Sequence, residues 1–109
     1  MAGVRVTGGS LRGRRIQLPR GVEIRPTSDR ARQAYFNIVR DQVSGGRFLD
    51  LFAGTGIFSI EAISRGAARA FALDESRKGT ALLSGLAQEL KLPLEVRCEK
   101  LPQALRSLA

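Results

Sequence analysis

The sequence predicts an α/β domain built on a parallel β-sheet, with a basic β-hairpin in front of it. From Arg47 onward, short apolar runs typical of buried strands alternate three times with helical patterns. Alternation of this kind favours parallel strands joined by right-handed crossovers. Before it come two short segments, VRVTGG and SLRGRRIQLP, whose glycines are typical of a hairpin.

Between the hairpin and the sheet, the sequence predicts an extended stretch and then a long helix. Pro26 disfavours helical backbone at Arg25. Ser28 or Asp29 can cap a helix that runs to about Gln42. Apolar residues recur there at helical spacing and predict a core-facing stripe of Ala31, Ala34, Tyr35, Ile38 and Val39.

The sheet region predicts three strands, at RFLDLF, RAFALD and LEVRC. The predicted helices cover residues 57–65, 76–90 and the start of another at 101–108. The second of them has an apolar face formed by Leu82, Leu83, Leu86, Ala87 and Leu90. We expect residues 1–28 to form the basic hairpin and extended segment, and residues 29–109 to form a partial α/β domain.

Composition excludes several kinds of chemistry. The chain has 109 residues, 43% of them hydrophobic, which is enough for one modest core. It has no histidine and a single cysteine, Cys98, which excludes Ser-His-Asp and Cys-His catalysis, histidine metal sites and an internal disulfide. No apolar run approaches the ~20 residues of a membrane span, and the first residues lack a signal-peptide core. We therefore expect a cytoplasmic protein without a metal.

The whole chain has a formal net charge of +8, and most of this positive charge lies in its N-terminal part. Residues 1–47 hold ten arginines and three acidic residues, whereas residues 48–109 hold eight basic and seven acidic residues. Because the planar fork of arginine suits phosphate, this excess favours a polyanionic partner such as nucleic acid. A merely solubilising basic arm, or attraction to a membrane surface, is the alternative.

The stretch FLDLFAGTG places an acid and two glycines at the end of the first sheet strand. Ligands of open α/β sheets bind at the carboxyl ends of the strands, and Gly54 and Gly56 allow close approach to a helix N-terminus there. Asp74 ends the second strand, where an acid can accept hydrogen bonds from ribose hydroxyls. A carboxylate inside a strand, as at Asp50, calls for a cation.

These residues favour one kind of ligand. A nicotinamide dinucleotide gives no reason for Asp50, and Ser59 stands where its fingerprint needs a glycine. A ligand with both an ammonium group and an adenosine explains Asp50 and Asp74 together, and S-adenosylmethionine has both. The alternative is a structural tight turn in which Asp50 caps nearby N–H groups.

Four successive segments resemble RsmD-type bacterial methyltransferases: GSLRGRRIQLP, IRPTSDRARQAYFNI, FLDLFAGTGIFSIEAISRGA and FALDESRK. The resemblance covers roughly residues 4 to 90. It implies the first half of a Rossmann-like S-adenosylmethionine-dependent methyltransferase fold. The implied activity is methylation of a guanine N2 in small-subunit (16S) ribosomal RNA, either naked or in an assembly particle.

The same resemblance implies two sets of site residues. The cofactor residues are Asp50, Phe52, Gly54, Gly56 and Asp74, and a looser match adds Glu99 near the adenine. The RNA-contacting residues are Arg12, Arg14, Arg15, Arg25 and Thr27. Glu61, on the helix after the glycine loop, could approach the cofactor or be an exposed acid near a helix N-terminus. We expect Phe36, Phe52 and Phe58 in the core.

One family motif is missing from the chain. The Asn/Asp-Pro-Pro-Tyr/Phe loop, which holds the flipped target base, has no counterpart, because the four prolines are never adjacent. We therefore expect no catalytic residue in this chain, and either a piece of a longer protein or a sheet completed by a partner chain. The first sheet strand would then lie at an open edge. Two functions stay open: the cofactor-binding half of a methyltransferase, and a non-catalytic RNA-binding module with a vestigial glycine loop.

Overall fold

The fold consists of a small antiparallel hairpin and a parallel sheet, with helices between them. A computed structural model describes residues 3–17, 28–51 and 56–100. Two predicted elements, the extended stretch around Arg25 and the helix at 101–108, lie outside these residues, as do the predicted site residues Phe52, Gly54 and Thr27. No helix in the described part combines the length and the hydropathy needed to cross a membrane.

The order of elements follows the predicted alternation. The hairpin strands are β1 (Gly3–Arg5) and β2 (Arg15–Gln17), followed by helices α1 (Asp29–Ile38) and α2 (Arg40–Val43). The remaining elements are β3 (Arg47–Asp50), α3 (Ile57–Ser64), β4 (Arg69–Asp74), α4 (Arg77–Glu89) and β5 (Leu94–Cys98).

The sheet is parallel and its strands follow the order β3-β4-β5. Its register places Asp50 opposite Ala72 and Asp74 opposite Cys98, so the strands end at a common edge. Among the described residues β3 pairs only with β4, which confirms that the first sheet strand lies at an open edge.

Helix α1 buries a different face from the predicted one. Its buried residues are Arg32 and Phe36, whereas Tyr35 and Ile38 are 43% and 83% exposed, so the predicted stripe is wrong apart from the half-buried Val39. The ring of Phe36 packs against that of Phe48 on β3, with 5.9 Å between centroids. The predicted single helix to Gln42 is interrupted at Val39, where α1 ends.

Helix α3 lies at the centre of the molecule and is buried on nearly all sides. Ile60 and Ala62 have no exposed surface. Ile57 and Ile60 share one core cluster with Ala72 of β4 and Leu83 of α4. Leu82, predicted for the buried face of α4, is instead 51% exposed.

The hairpin belongs to the same core. Val4, Val6 and Ile16 are buried and join the cluster that contains Ile57 and Ile60 of α3. The hairpin is therefore fixed on the helix by apolar packing and is not a free arm.

The turn of the hairpin sits tightly on the C-terminal end of α3. Ser10 N–H donates to the Ser64 carbonyl at 2.8 Å, and the Ser64 hydroxyl donates to the Gly8 carbonyl at 2.6 Å. Gly9 has φ +82°, and a Cβ there would lie 1.9 Å from the Ser64 carbonyl oxygen. Both the backbone conformation and the close approach therefore require glycine at this position.

We predict that Gly9→Ala lowers the free energy of unfolding by more than about 3 kcal/mol, because the new methyl group must push the hairpin turn off α3. Gly13→Ala is the matched control: its φ is +87°, yet no atom lies within 4 Å of the added Cβ. We expect the free energy of unfolding of that variant to fall by only about 1–2 kcal/mol, the cost of placing alanine in the left-handed conformation. Urea denaturation measures both, and equal losses would contradict the packing argument.

Candidate functional site

Acidic side chains gather at the carboxyl edge of the sheet. Asp50 ends β3, Asp74 ends β4, and Glu99 directly follows β5. All three are half-buried. Asp50 lies opposite Ala72, two residues before Asp74 on the neighbouring strand, so both carboxylates lie on one face of the sheet. The structure thus places two of the predicted cofactor residues, Asp50 and Asp74, on one face of adjacent strands. Glu99 follows Cys98, the partner of Asp74, by one position, so it falls on the other face of the sheet, where it pairs with Arg97 at 4.0 Å.

Local hydrogen bonds fix the backbone and the carboxylate at Asp74. Its Oδ1 accepts from the Ser76 N–H at 3.0 Å, and its carbonyl accepts from the Glu99 N–H at 3.1 Å. Ser76 then caps α4, because its hydroxyl accepts from the Gly79 N–H at 3.1 Å. The acid at the end of β4 is therefore held in place before any ligand arrives.

The fold itself requires glycine at position 56, at the start of α3. Its φ is +78°, and a Cβ there would lie 2.3 Å from a methyl carbon of Leu83. Glycine at this position lets the loop turn into α3 and lets α4 pack closely. Gly54 and Phe52, predicted for the same loop, lie outside the described residues.

The hairpin presents the predicted arginines to solvent. Arg12, Arg14 and Arg15 are exposed, and none of them forms an ion pair with a described residue. Arg25 and Thr27 fall outside the described part. Three of the five predicted RNA residues therefore lie exposed on a hairpin that packs on α3, without an ion pair to any residue in the described part.

Glu61 is the acidic residue that the sequence analysis placed wrongly. It has no exposed surface, so it is not an exposed acid, and its partners come from the hairpin, α1 and α3. It accepts from the Thr7 N–H at 2.9 Å, from the Gly8 N–H at 3.0 Å and from the Thr7 hydroxyl at 3.0 Å. Arg32 Nε donates to it at 3.0 Å and Arg65 Nε at 2.8 Å.

The two arginines extend this network. Arg32, also without exposed surface, donates to Asp29 at 2.9 Å and to the Arg5 carbonyl. Arg65 donates to the Thr7 hydroxyl at 3.0 Å. Two carboxylates thus balance two guanidinium groups, and the buried charges are compensated. We call these four residues, Asp29, Arg32, Glu61 and Arg65, the Glu61 network.

Comparisons with known proteins agree with the motifs. The Escherichia coli K12 protein named ribosomal RNA small subunit methyltransferase D is 39% identical over 74 residues, which cover 68% of this chain and 37% of that protein. YlbH of Bacillus subtilis 168 is 37% identical over 89 residues, covering 82% of this chain and 48% of YlbH. The profile of the family described as Conserved hypothetical protein 95 matches residues 4–108. The chain belongs to this RsmD-type family.

The fold agrees with solved structures as well. A hypothetical protein of Thermus thermophilus superposes with a TM-score of 0.81 at 31% identity, over 95% of this chain and 60% of that protein. The predicted fold class, the first half of a Rossmann-like methyltransferase fold, is confirmed. The chain spans about half the length, or less, of the curated relatives that it matches.

In this RsmD-type chain, the Glu61 network also sets the ionisation of its central acid. Burial by itself would raise the pKa of Glu61. The hydrogen bonds from the Thr7 N–H, from Arg65 and Arg32, and from the Thr7 hydroxyl outweigh burial and lower the pKa below its usual value of 4.5. Glu61 is therefore ionised at neutral pH, and its charge is needed to hold its donors.

One sequence signal could have found this residue. The segment IFSIEAIS carries apolar residues around the whole helix, and a helix that is apolar all round is buried. An acid in such a helix needs buried donors, and Arg65 lies one turn further on. Nothing local points to Arg32, because its pairing with Glu61 spans 29 positions of the chain.

We predict that the free energy of unfolding of the wild-type chain falls as the pH drops below about 4.5, the usual value for glutamate. A carboxyl whose pKa is lower in the folded than in the unfolded state stabilises the fold above its unfolded pKa, and this contribution is lost as the pH falls through the folded pKa. Urea denaturation as a function of pH measures the effect.

The variant Glu61→Gln should lose about 3–5 kcal/mol at neutral pH, because the buried Arg32 and the largely buried Arg65 both lose the carboxylate that they share. Its stability should also depend less on acidic pH than that of the wild type. Glu89→Gln, at an exposed position of α4 without an ion pair to a described residue, is the matched control and should retain the wild-type profile. If the stability of Glu61→Gln varied with pH as that of the wild type does, the role assigned to the Glu61 charge would be refuted.

Proposed function

We propose that this chain is the cofactor-binding part of an S-adenosylmethionine-dependent methyltransferase that acts on a guanine N2 in small-subunit (16S) ribosomal RNA. The observation that carries the proposal is the pair of Asp50 and Asp74, which share one face of the sheet at the carboxyl ends of two adjacent parallel strands. Open α/β sheets bind their ligands at this edge. The name of the E. coli relative supports ribosomal RNA as the substrate class.

The donor set at the edge fits the cofactor. A carboxylate at Asp50 suits the ammonium group of the amino-acid portion, and one at Asp74 suits the ribose hydroxyls. Glu99, which follows the third strand, is assigned to the adenine end. Gly56 begins the helix after the glycine loop, and the resemblance adds Phe52 and Gly54 from the same loop.

The chain contributes binding and orientation. When bound, the cofactor supplies a methyl group already activated by its sulfonium sulfur. The amine of guanine is a poor nucleophile because its lone pair is delocalised into the ring, so acceleration depends on positioning. The loop that positions the target base has no counterpart in this sequence. We therefore expect weak or absent methyl transfer by this chain alone, and we assign the base-holding part to a remaining half or a partner chain.

The basic hairpin is proposed as the RNA-contacting part. Arg12, Arg14 and Arg15 are exposed and rigidly presented, and Arg25 and Thr27 are added by resemblance. Residues 1–28 would then form the RNA-contacting segment and residues 29–109 the cofactor segment of a cytoplasmic protein. The partner is ribosomal RNA or a small-subunit assembly particle.

Calorimetric titration with S-adenosylmethionine tests the cofactor assignment. We predict saturable one-to-one binding by the wild-type chain and about tenfold or greater loss for Asp50→Asn, because a charge-assisted contact is removed. Asp41→Asn is the control, since Asp41 is exposed on α2 and has no ion pair to a described residue. Equal affinities in all three proteins, or no binding by a folded wild-type chain, would contradict the assignment.

The RNA assignment needs a separate measurement. We predict that Arg12→Ala combined with Arg14→Ala weakens binding of a labelled 16S ribosomal RNA fragment and lowers its salt dependence by about one unit of slope for each lost phosphate contact. Asp50→Asn should bind this RNA like the wild type. RNA binding without cofactor binding would favour the non-catalytic module.

A further inference from the structure

A recess beside the hairpin turn is separate from the carboxyl edge of the sheet. It has a volume of about 220 Å³ and is lined by Gly9, Phe36, Arg40, Val43 and Arg65. Its walls therefore combine a glycine backbone, two apolar side chains and two guanidinium groups. We call it the Arg40 recess.

Arg65 is held in a fixed position at this recess. Its Nε and Nη2 are bonded to Glu61 and Thr7, and its guanidinium carbon lies 5.4 Å from the centroid of the Phe36 ring. The side chain is 17% exposed, so part of it still reaches solvent. Its position is set by the Glu61 network and needs no ligand.

Arg40 supplies the second charge. It is the first residue of α2, it is exposed, and it has no ion pair to a described residue. Glu61, the carboxylate that pairs with Arg65, has no exposed surface, and both of its oxygens are already bonded. The recess therefore presents positive charge to solvent without a competing acid among its lining residues.

The surroundings indicate which anion fits. Gly9 lines the recess, and its carbonyl accepts from the Arg12 N–H at 3.1 Å, so the recess and the basic residues of the turn share one short stretch of backbone. A chain of phosphates can contact both surfaces at once, whereas a small carboxylate can occupy only one. The apolar lining of Phe36 and Val43 also lowers the local dielectric constant, which strengthens a guanidinium–phosphate contact.

We propose that the Arg40 recess binds a backbone phosphate of the RNA that the hairpin holds, with Arg40 and Arg65 as its ligands. This inference rests on the proposed function, because it adds a second anchor to the same RNA. It extends the RNA surface from the hairpin onto α2, which no RNA-binding motif in the sequence indicated.

Arg40→Ala is the decisive variant, because the exposed Arg40 side chain lies outside the Glu61 network and its loss should leave the fold intact. We expect about tenfold weaker binding of the labelled 16S ribosomal RNA fragment, as for a lost hydrogen bond to a charged group. The salt dependence, measured between about 50 and 200 mM, should fall by roughly one unit of slope. Arg40→Lys should restore part of the affinity, because it keeps the charge but loses the planar fork.

Arg77→Ala is the matched control because Arg77, like Arg40, is exposed, is the first residue of a helix and has no ion pair to a described residue. Unchanged binding for Arg77→Ala beside weakened binding for Arg40→Ala would support the recess. Equal binding by these two variants, with weakened binding by the Arg12 and Arg14 double variant, would overturn the recess and leave the proposed function standing. No RNA binding by the folded wild-type chain would overturn both.

Discussion

The structure depends on one buried carboxylate, that of Glu61. A charge without exposed surface is tolerated only if donors surround it, and these donors come from the hairpin, from α1 and from α3 itself. Each of the three elements therefore needs the other two. Removing the hairpin would take away the Thr7 and Gly8 N–H groups and leave Glu61 short of partners. Removing α1 would take away Arg32, one of the two guanidinium groups that donate to the Glu61 carboxylate. The network thus joins elements that are far apart along the chain into one unit.

This constraint also sets the relation between the two proposed sites. Helix α3 begins beside the glycine loop and ends under the hairpin turn, where Ser64 bonds to it. Its eight residues span about 12 Å at 1.5 Å per residue. At one end Gly56 packs against Leu83 of α4, and at the other Gly9 packs against Ser64. Both contacts are too close for a Cβ atom, so the helix has little freedom to shift relative to either site.

The sequence predicted the parts of the fold that are encoded locally. The strands, the crossover helices and the hairpin all follow from periodicity and from glycine positions over a few residues, whereas the open edge at β3 was implied by the family resemblance. The buried face of α1 did not follow, because Ile38 and Tyr35 satisfy the apolar pattern but lie on the exposed side. The structure instead buries Arg32, whose reason for burial is Glu61, on another helix. A pairing between two distant helices leaves no pattern in the local sequence. The Arg40 recess has no local pattern either, because it forms between the hairpin turn, α1, α2 and the end of α3.

The separation of charges gives a physical reason for two distinct surfaces. The carboxyl edge of the sheet carries acids that suit a cationic cofactor, and such an edge repels a polyanion. Under the proposed function, RNA therefore has to be held elsewhere, by groups that do not neutralise Asp50 or Asp74. The hairpin arginines, which form no ion pair with a described residue, meet this requirement, since the hairpin turn is bonded to the far end of α3 from the glycine loop. Under the proposed function, only the target base needs to approach the acidic edge, and a base, unlike a phosphate, carries no negative charge. An anchor at the hairpin and the Arg40 recess would hold the RNA backbone while the base reaches the cofactor, which makes the rigidity of α3 part of the mechanism.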